Sequence, residues 1–278
     1  MPAGAGERLA TTLARPARVT MGPGPATTST RGPTLSTAPH QQLPAVQKLR
    51  VRFAKRGRLR FTSHRDFQRA FERALRRADV PMAWSQGFTP HPRVSYAGAA
   101  PTGAASEAEY LELAVTRVCD PEEVRAALDA ALPPGLDVVE VVEAGPGALA
   151  DRLQASSWAI ELPGAVPEQV AAAVTAFLAA GSVPVERLTK NGVRQLDPRA
   201  AVLRLAADTA ADPVTLRAVV RHQSPTVRPD EVLAGLRIVA GFAPPQPHRA
   251  VRLAQGEWDD AAGVLADPLA DAPGRRDT

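Results

Sequence analysis

One cysteine, Cys119, stands among 278 residues. A lone thiol cannot close an intrachain disulfide and cannot complete a cysteine-built zinc or iron–sulfur site. Such usage fits a reducing compartment, and a cytoplasmic location is expected. Aromatics make up just 4% of the chain, so those lying beside charged segments draw notice as candidate stacking groups. No run reaches 18 continuous apolar residues, and the arginine-bearing start lacks the apolar stretch and cleavage site of a secretory signal, so no membrane partner is expected. The phosphate-loop pattern, the dinucleotide-binding glycine fingerprint, the nucleophile elbow and the zinc-protease helix are missing as well. No cofactor and no metal site is expected, and catalysis is left open.

The residues present divide the chain into four. Residues 1–45 are rich in Pro, Thr, Ala and Gly and read as a flexible extension. From 46 to 148 the pattern is strand, helix, strand, strand, helix, strand. KLRVRF alternates, with Leu49, Val51 and Phe53 facing one way and Lys48, Arg50 and Arg52 the other. KRG reads as a turn, after which RLRF resumes the alternation with Leu59 and Phe61 inward. Ser63 and Asp66 make a capping box for a helix with Phe67, Phe71, Ala74 and Leu75 on one stripe, stopped by Pro81. PMAW starts a short strand, and EYLELAV, PEEVRAALDAAL and LDVVEVVE follow as strand, helix and strand. A similar order recurs over 155–256, and 257–278 is expected to fray. The fold class predicted is α+β, built from tandem ferredoxin-like (βαββαβ) units.

Charge is distributed unevenly. The net charge is +4, yet Lys48 to Arg77 holds twelve Lys or Arg residues against two acids, Asp66 and Glu72. The pattern predicts an outward cationic surface made of Arg50, Arg52, Arg58, Arg60, Arg65, Arg69, Arg73 and Arg76. Arginine forks meet phosphate oxygens bidentately, and Phe88, in the SQGFTPHP loop, is placed to stack on an unpaired base. Lys190 and Arg194, around a predicted Asn191–Gly192 hairpin, would extend the face. The bland alternative is a solvated helix face in an arginine-biased proteome. His64, His91 and Arg93 are the candidate catalytic residues, against capping or ligand-contact roles for the histidines. Cys119 reads as a buried structural thiol.

The run FTSHRDFQRAFERALRRA with SQGFTPHPRVSYA, and the later VERLTKNGVRQLD and VRPDEVL, resemble the uncharacterised radical-SAM-linked protein family of bacteria. Its members are encoded beside, or fused behind, a radical-SAM protein, and in some bacteria lie near genes for a ribonuclease of the E/G type. The resemblance spans roughly 47–240, and makes His64, Arg65, Asp66, Ser85, Gln86, Gly87, Phe88, Pro90, His91 and Pro92 the characteristic residues. It implies an accessory subunit presenting substrate to a radical-SAM partner. Unlike fused members, this chain is expected to lack a cluster-binding domain. Three functions follow as expectations: an accessory RNA- or ribonucleoprotein-binding protein, an RNA-processing or RNA-modifying enzyme using His64 or His91, or a protein–protein adaptor without a nucleic-acid role.

Overall fold

The computed structural model describes residues 43–273 apart from Gly87 and Asn191. The extension expected over 1–45 therefore lies outside the described residues except for its last three. The described residues belong to one unit, a mixed α/β arrangement in which a large mixed sheet of eight strands carries most of the helices.

Seven elements up to residue 143 organise the first half. Strand β1 (Gln47–Lys55) leads to helix α1 (His64–Arg77), then β2 (Val94–Ala97), β3 (Ala105–Val115), helix α2 (Pro121–Ala131) and β4 (Leu136–Glu143), with a 3-10 turn at Gly57–Phe61. β1 pairs antiparallel with both β3 and β4, and β2 lies antiparallel on β3. α1 starts where the Ser63 hydroxyl accepts the Asp66 amide at 3.2 Å and donates to the Asp66 carboxylate at 2.7 Å. It buries Phe67, Phe71, Ala74 and Leu75 against Leu49, Val51 and Phe53 of β1. Each large apolar side chain so covered contributes about 1.5–3 kcal/mol. Phe53 stacks on Phe67 with ring centres 4.7 Å apart.

The second half comprises β5 (Ala155–Glu161), α3 (Pro167–Ala179), β6 (Val185–Thr189), β7 (Gly192–Leu196), α4 (Pro198–Ala201), β8 (Val202–Asp208), β9 (Thr215–Arg221), α5 (Pro229–Ala240) and β10 (Arg249–Gly256). β6 and β7 stand apart as their own hairpin, and the strand order of the large sheet is β4-β1-β3-β10-β5-β9-β8. Phe177 of α3 and Leu236 of α5 pack with Ile160, Leu216 and Val220 in a second core. Gly235 of α5 has a reason to be glycine, because a Cβ there would sit 2.7 Å from the Phe177 ring.

The halves join where β10 runs parallel to β3 through Val251–Ala105 and Arg252–Ser106. At that joint Arg252 is 3% exposed and donates to the carboxylate of Glu109, itself 4% exposed, and to the Ser106 hydroxyl at 3.2 Å. The Arg252 guanidinium also lies 5.7 Å from the Trp158 ring centre.

Three local expectations are corrected. RLRF does not resume the strand: Gly57 takes a left-handed φ of 55°, the chain leaves the sheet in the 3-10 turn, and Phe61 is 60% exposed. PMAW forms isolated bridges, Met82 with Val115 and Trp84 with Pro92, in place of a strand. The stretch from 257 does not fray through its described part: β11 (Trp258–Asp259) and β12 (Val264–Leu265) form a hairpin, and Leu269 and Ala272 are buried with Ala108, Tyr110 and Val142. Gly256 shows how closely this segment lies on β10, since a Cβ there would fall 1.8 Å from the Ala266 carbonyl oxygen. The apolar, Leu-bearing sequence ADPLADAP gains its core contacts from distant residues, which no local period announces. No helix among the described residues is long and apolar enough to cross a membrane.

Replacing Glu109 with Gln leaves Arg252 as an uncompensated buried charge, and a loss of about 3–5 kcal/mol is expected. Replacing both by Met should recover much of that loss. Urea midpoints of the three proteins check this; a Glu109→Gln midpoint equal to the parent's would contradict it.

Candidate functional site

α1 carries hydrophobic residues at the spacing that turns one stripe to the sheet, and this places Arg65, Arg69, Arg73, Arg76 and Arg77 outside, all exposed. None of the five makes an ion pair with a described residue. Five guanidinium groups on one helix face with free donors form a surface that attracts anions and matches phosphate oxygens in geometry. Arg58 is exposed in the 3-10 turn before α1, and Arg60, half-buried, sits 4.7 Å over the Phe61 ring.

The two arginines of β1 do not belong to that face. Arg50 is 2% exposed; it donates to Glu112 at 3.4 Å and to the Gly147 carbonyl at 2.6 Å. Arg52 is half-buried and donates to the Glu107 carbonyl at 3.1 Å. Alternation alone put both in solvent, but the second side of this part of the sheet is covered too: residues 149–153 and the C-terminal segment bury Tyr110 and Val142 there. Lys190 is exposed at the end of β6, and Arg194 is exposed on β7. Their hairpin is tied instead to the second half through Arg187, which donates to Glu231 at 2.7 Å and to the Thr226 carbonyl at 2.7 Å. No hydrogen bond or ion pair among the described residues links that hairpin to α1.

The two histidines part company. His91 is held within its own loop: its ring Nδ1 lies 3.0 Å from the Ser85 hydroxyl, its amide donates to that hydroxyl at 3.1 Å, and the Ser85 amide donates to the His91 carbonyl at 2.8 Å. This clasp closes a loop whose Phe88 is fully exposed. Arg93 is exposed, its backbone bonded to Ala83 and Ala114. His64 lies at the first turn of α1, 3.1 Å from the Gln68 amide nitrogen and edge-on to Tyr96 at 5.3 Å. The Tyr96 hydroxyl is buried without a hydrogen-bond partner among the described residues, and burial pushes its pKa well above the ordinary value, with Glu72 adding to the effect. Cys119 is half-exposed, a correction to the buried thiol expected.

His64 faces a cleft of about 310 Å³ at the sheet joint, together with Lys55, Thr62, Thr102, Glu109 and Arg228. Lys55 ends β1 and is 6% exposed. Burial lowers its pKa, with Glu109 pulling it up and Arg252 pushing it down again. Its hydrogen bond to the Ala100 carbonyl is long, 3.4 Å, while Glu109 accepts the Ala100 amide at 3.2 Å. A smaller cleft of about 140 Å³ adjoins through Pro101 and Arg228 and contains Ser156, His222 and Arg252. There the Ser156 hydroxyl lies 2.6 Å from His222 Nε2, and His222 Nδ1 lies 2.6 Å from the Leu153 carbonyl. An N–H at Nδ1 donating to that carbonyl leaves Nε2 to accept from the serine. Sequence reasoning passed over this group. Lys55 nonetheless shares the parity of Leu49, Val51 and Phe53, which was a usable signal; Ser156, His222 and Arg228 carry none, because distant chain segments bring them together. No group of three or more His, Cys, Asp or Glu residues that could hold a metal occurs among the described residues.

A family described as an uncharacterized protein conserved in bacteria (DUF2344) matches residues 48–229. The match includes α1, the clasped loop and most of both halves, and the chain belongs to this family. No curated protein matches the chain.

Burial, with Arg252 nearby, holds the His222 pKa below its ordinary 6.5, although the bond to Leu153 opposes this. Below that pH the unfolded chain takes up a proton more readily than the folded one. The stabilising contribution of neutral His222 is therefore complete above about pH 6.5 and is lost as pH falls through the lower folded value. Denaturation midpoints measured across this range should decline with acid in the parent and decline less in His222→Gln; equal slopes would contradict the assignment.

Proposed function

Taking membership of that family as given, we propose that the chain is a cytoplasmic accessory protein that binds RNA or a ribonucleoprotein through the outer face of α1. The observation carrying this is the row Arg65, Arg69, Arg73 and Arg76, exposed and without ion pairs among the described residues. A helix face of this kind contacts the backbone of a nucleic acid and contributes affinity more than sequence choice. Phe88, held out by the Ser85–His91 clasp, supplies an aromatic surface on which a base can stack. Arg58 and Arg60 extend the face, whereas Arg50 has its donors satisfied inside the protein.

The scaffold is read as a tandem of ferredoxin-like units. Numbering the sheet strands within each half, and setting the β6–β7 hairpin aside, the order is fourth, first, third, second in both, which supports a duplicated βαββαβ design. Presentation of the bound RNA to a radical-SAM partner follows from the family resemblance of the α1 and SQGFTPHP segments. An enzymatic reading rests on His64, because that histidine, unlike His91, faces a cleft with other ionisable groups.

The test is binding of cellular RNA across a salt series, with recovery and sequencing of what stays bound. Changing Arg65, Arg69 and Arg73 together to Gln preserves helix propensity while removing three cations. For a single-stranded ligand the slope of log affinity against log salt should fall by about 2. An unchanged slope, or binding that vanishes with modest salt and selects no RNA class, would defeat this reading in favour of a protein adaptor.

A further inference from the structure

Lys55 is an unusual group to find without an ion-pair partner among the described residues. An ammonium carries three donors and no acceptor. Here it is 6% exposed, and its hydrogen bond among the described residues is the 3.4 Å contact to the Ala100 carbonyl. It makes no ion pair among those residues, while Glu109 is matched with Arg252; Asp230 lies 3.2 Å from His248, a pair that is ionic only when that histidine is protonated. Arg228, exposed at the start of α5, likewise has no ion pair among the described residues. Two unmatched cations therefore face the same cleft, one at its floor and one nearer solvent. Thr62 and Thr102 add hydroxyl groups to the wall, and Phe53 and Phe67 form its apolar side.

The geometry points to a binding site for a phosphate monoester in this cleft, with Lys55 as the buried cation and Arg228 as the outer one. With His248 protonated against Asp230, the two positive charges balance the dianionic form of such a group, whereas a carboxylate or a phosphodiester would leave one unmatched. A cleft of about 310 Å³ has room for the phosphoryl group and part of what carries it. His64 lies both at this cleft and at the first turn of α1, whose exposed arginines continue away from it. An RNA strand following α1 would thus bring a terminal phosphate to Lys55, so this inference deepens the RNA reading and rests on it for the source of the ester. A free mononucleotide offers the same chemistry.

The experiment measures binding of AMP, and of one short oligoribonucleotide with either a 5′-phosphate or a 5′-hydroxyl, to the full chain. Lys55→Met and Arg228→Gln are the probes, the second at an exposed position whose backbone amide, bonded to Glu231, is unchanged by the substitution. The Arg65/Arg69/Arg73 triple variant is measured alongside. A tighter complex with the 5′-phosphate oligonucleotide, by about tenfold, lost in Lys55→Met and reduced in Arg228→Gln, assigns the site to an RNA terminus. Binding of AMP with the same dependence, and no preference between RNA ends, assigns it to a free mononucleotide. Absence of AMP binding together with indifference to the 5′ group overturns the site. RNA binding that then persists, sensitive to the triple variant alone, leaves the RNA reading standing; AMP binding without RNA binding does the reverse.

Discussion

The ion pair of Arg252 and Glu109 occupies the place where the two halves of the sheet become one. β10 meets β3 through two residue pairs, too short a parallel ladder to fix an angle by backbone bonding. Burying two charges costs several kcal/mol per ion unless their geometry and remaining hydrogen bonds are satisfied. Arg252 meets that condition by reaching Glu109, Ser106 and the Trp158 face at once. The other Glu109 oxygen holds the Ala100 amide, which positions the segment that separates the two clefts. Lys55 and Arg228 face a cleft whose lining includes Glu109 of this pair and the Ala100 segment it holds.

Much of the architecture was legible because it rests on local periods. Leu49, Val51 and Phe53 give the alternation of β1, while the Phe67, Phe71, Ala74 and Leu75 stripe with its Ser63 cap gives α1. The recurrence of strand and helix signals in the second half was readable for the same reason. Legibility failed where burial comes from a distant part of the chain. Arg50 has the right parity for solvent, but residues 149–153 and the C-terminal segment close that side. Leu269 sits among prolines, alanines and aspartates, and nothing nearby predicts its burial. RLRF alternates as a strand does, yet the left-handed Gly57 just before it redirects the chain.

The candidate site divides along the same line. Arg65, Arg69 and Arg73 could be placed from spacing because an amphipathic helix has one inside and one outside. His64 and His91 could not be assigned to a common centre, since their neighbours are set by a clasp in one case and by the sheet joint in the other. Glu109 was recognisable as sharing a face with Leu111, but its partner Arg252 is 143 residues away. The exposed and buried cations also differ in kind. Exposed arginines gain affinity at low desolvation cost and discriminate little, whereas a desolvated lysine is selective because the wrong occupant leaves it unmatched.

The C-terminal segment has a consequence for how the protein is made. Leu269 and Ala272 complete the back of the first half, packing on Ala108 and Tyr110 of β3 and Val142 of β4. Those strands leave the ribosome long before the residues that cover them. During synthesis the first half therefore waits with an apolar back surface uncovered, and the second half must emerge whole before that surface is closed. The turn at Leu269–Ala272 acts as a latch on strands made much earlier, so the first half is sealed only after the second has been synthesised.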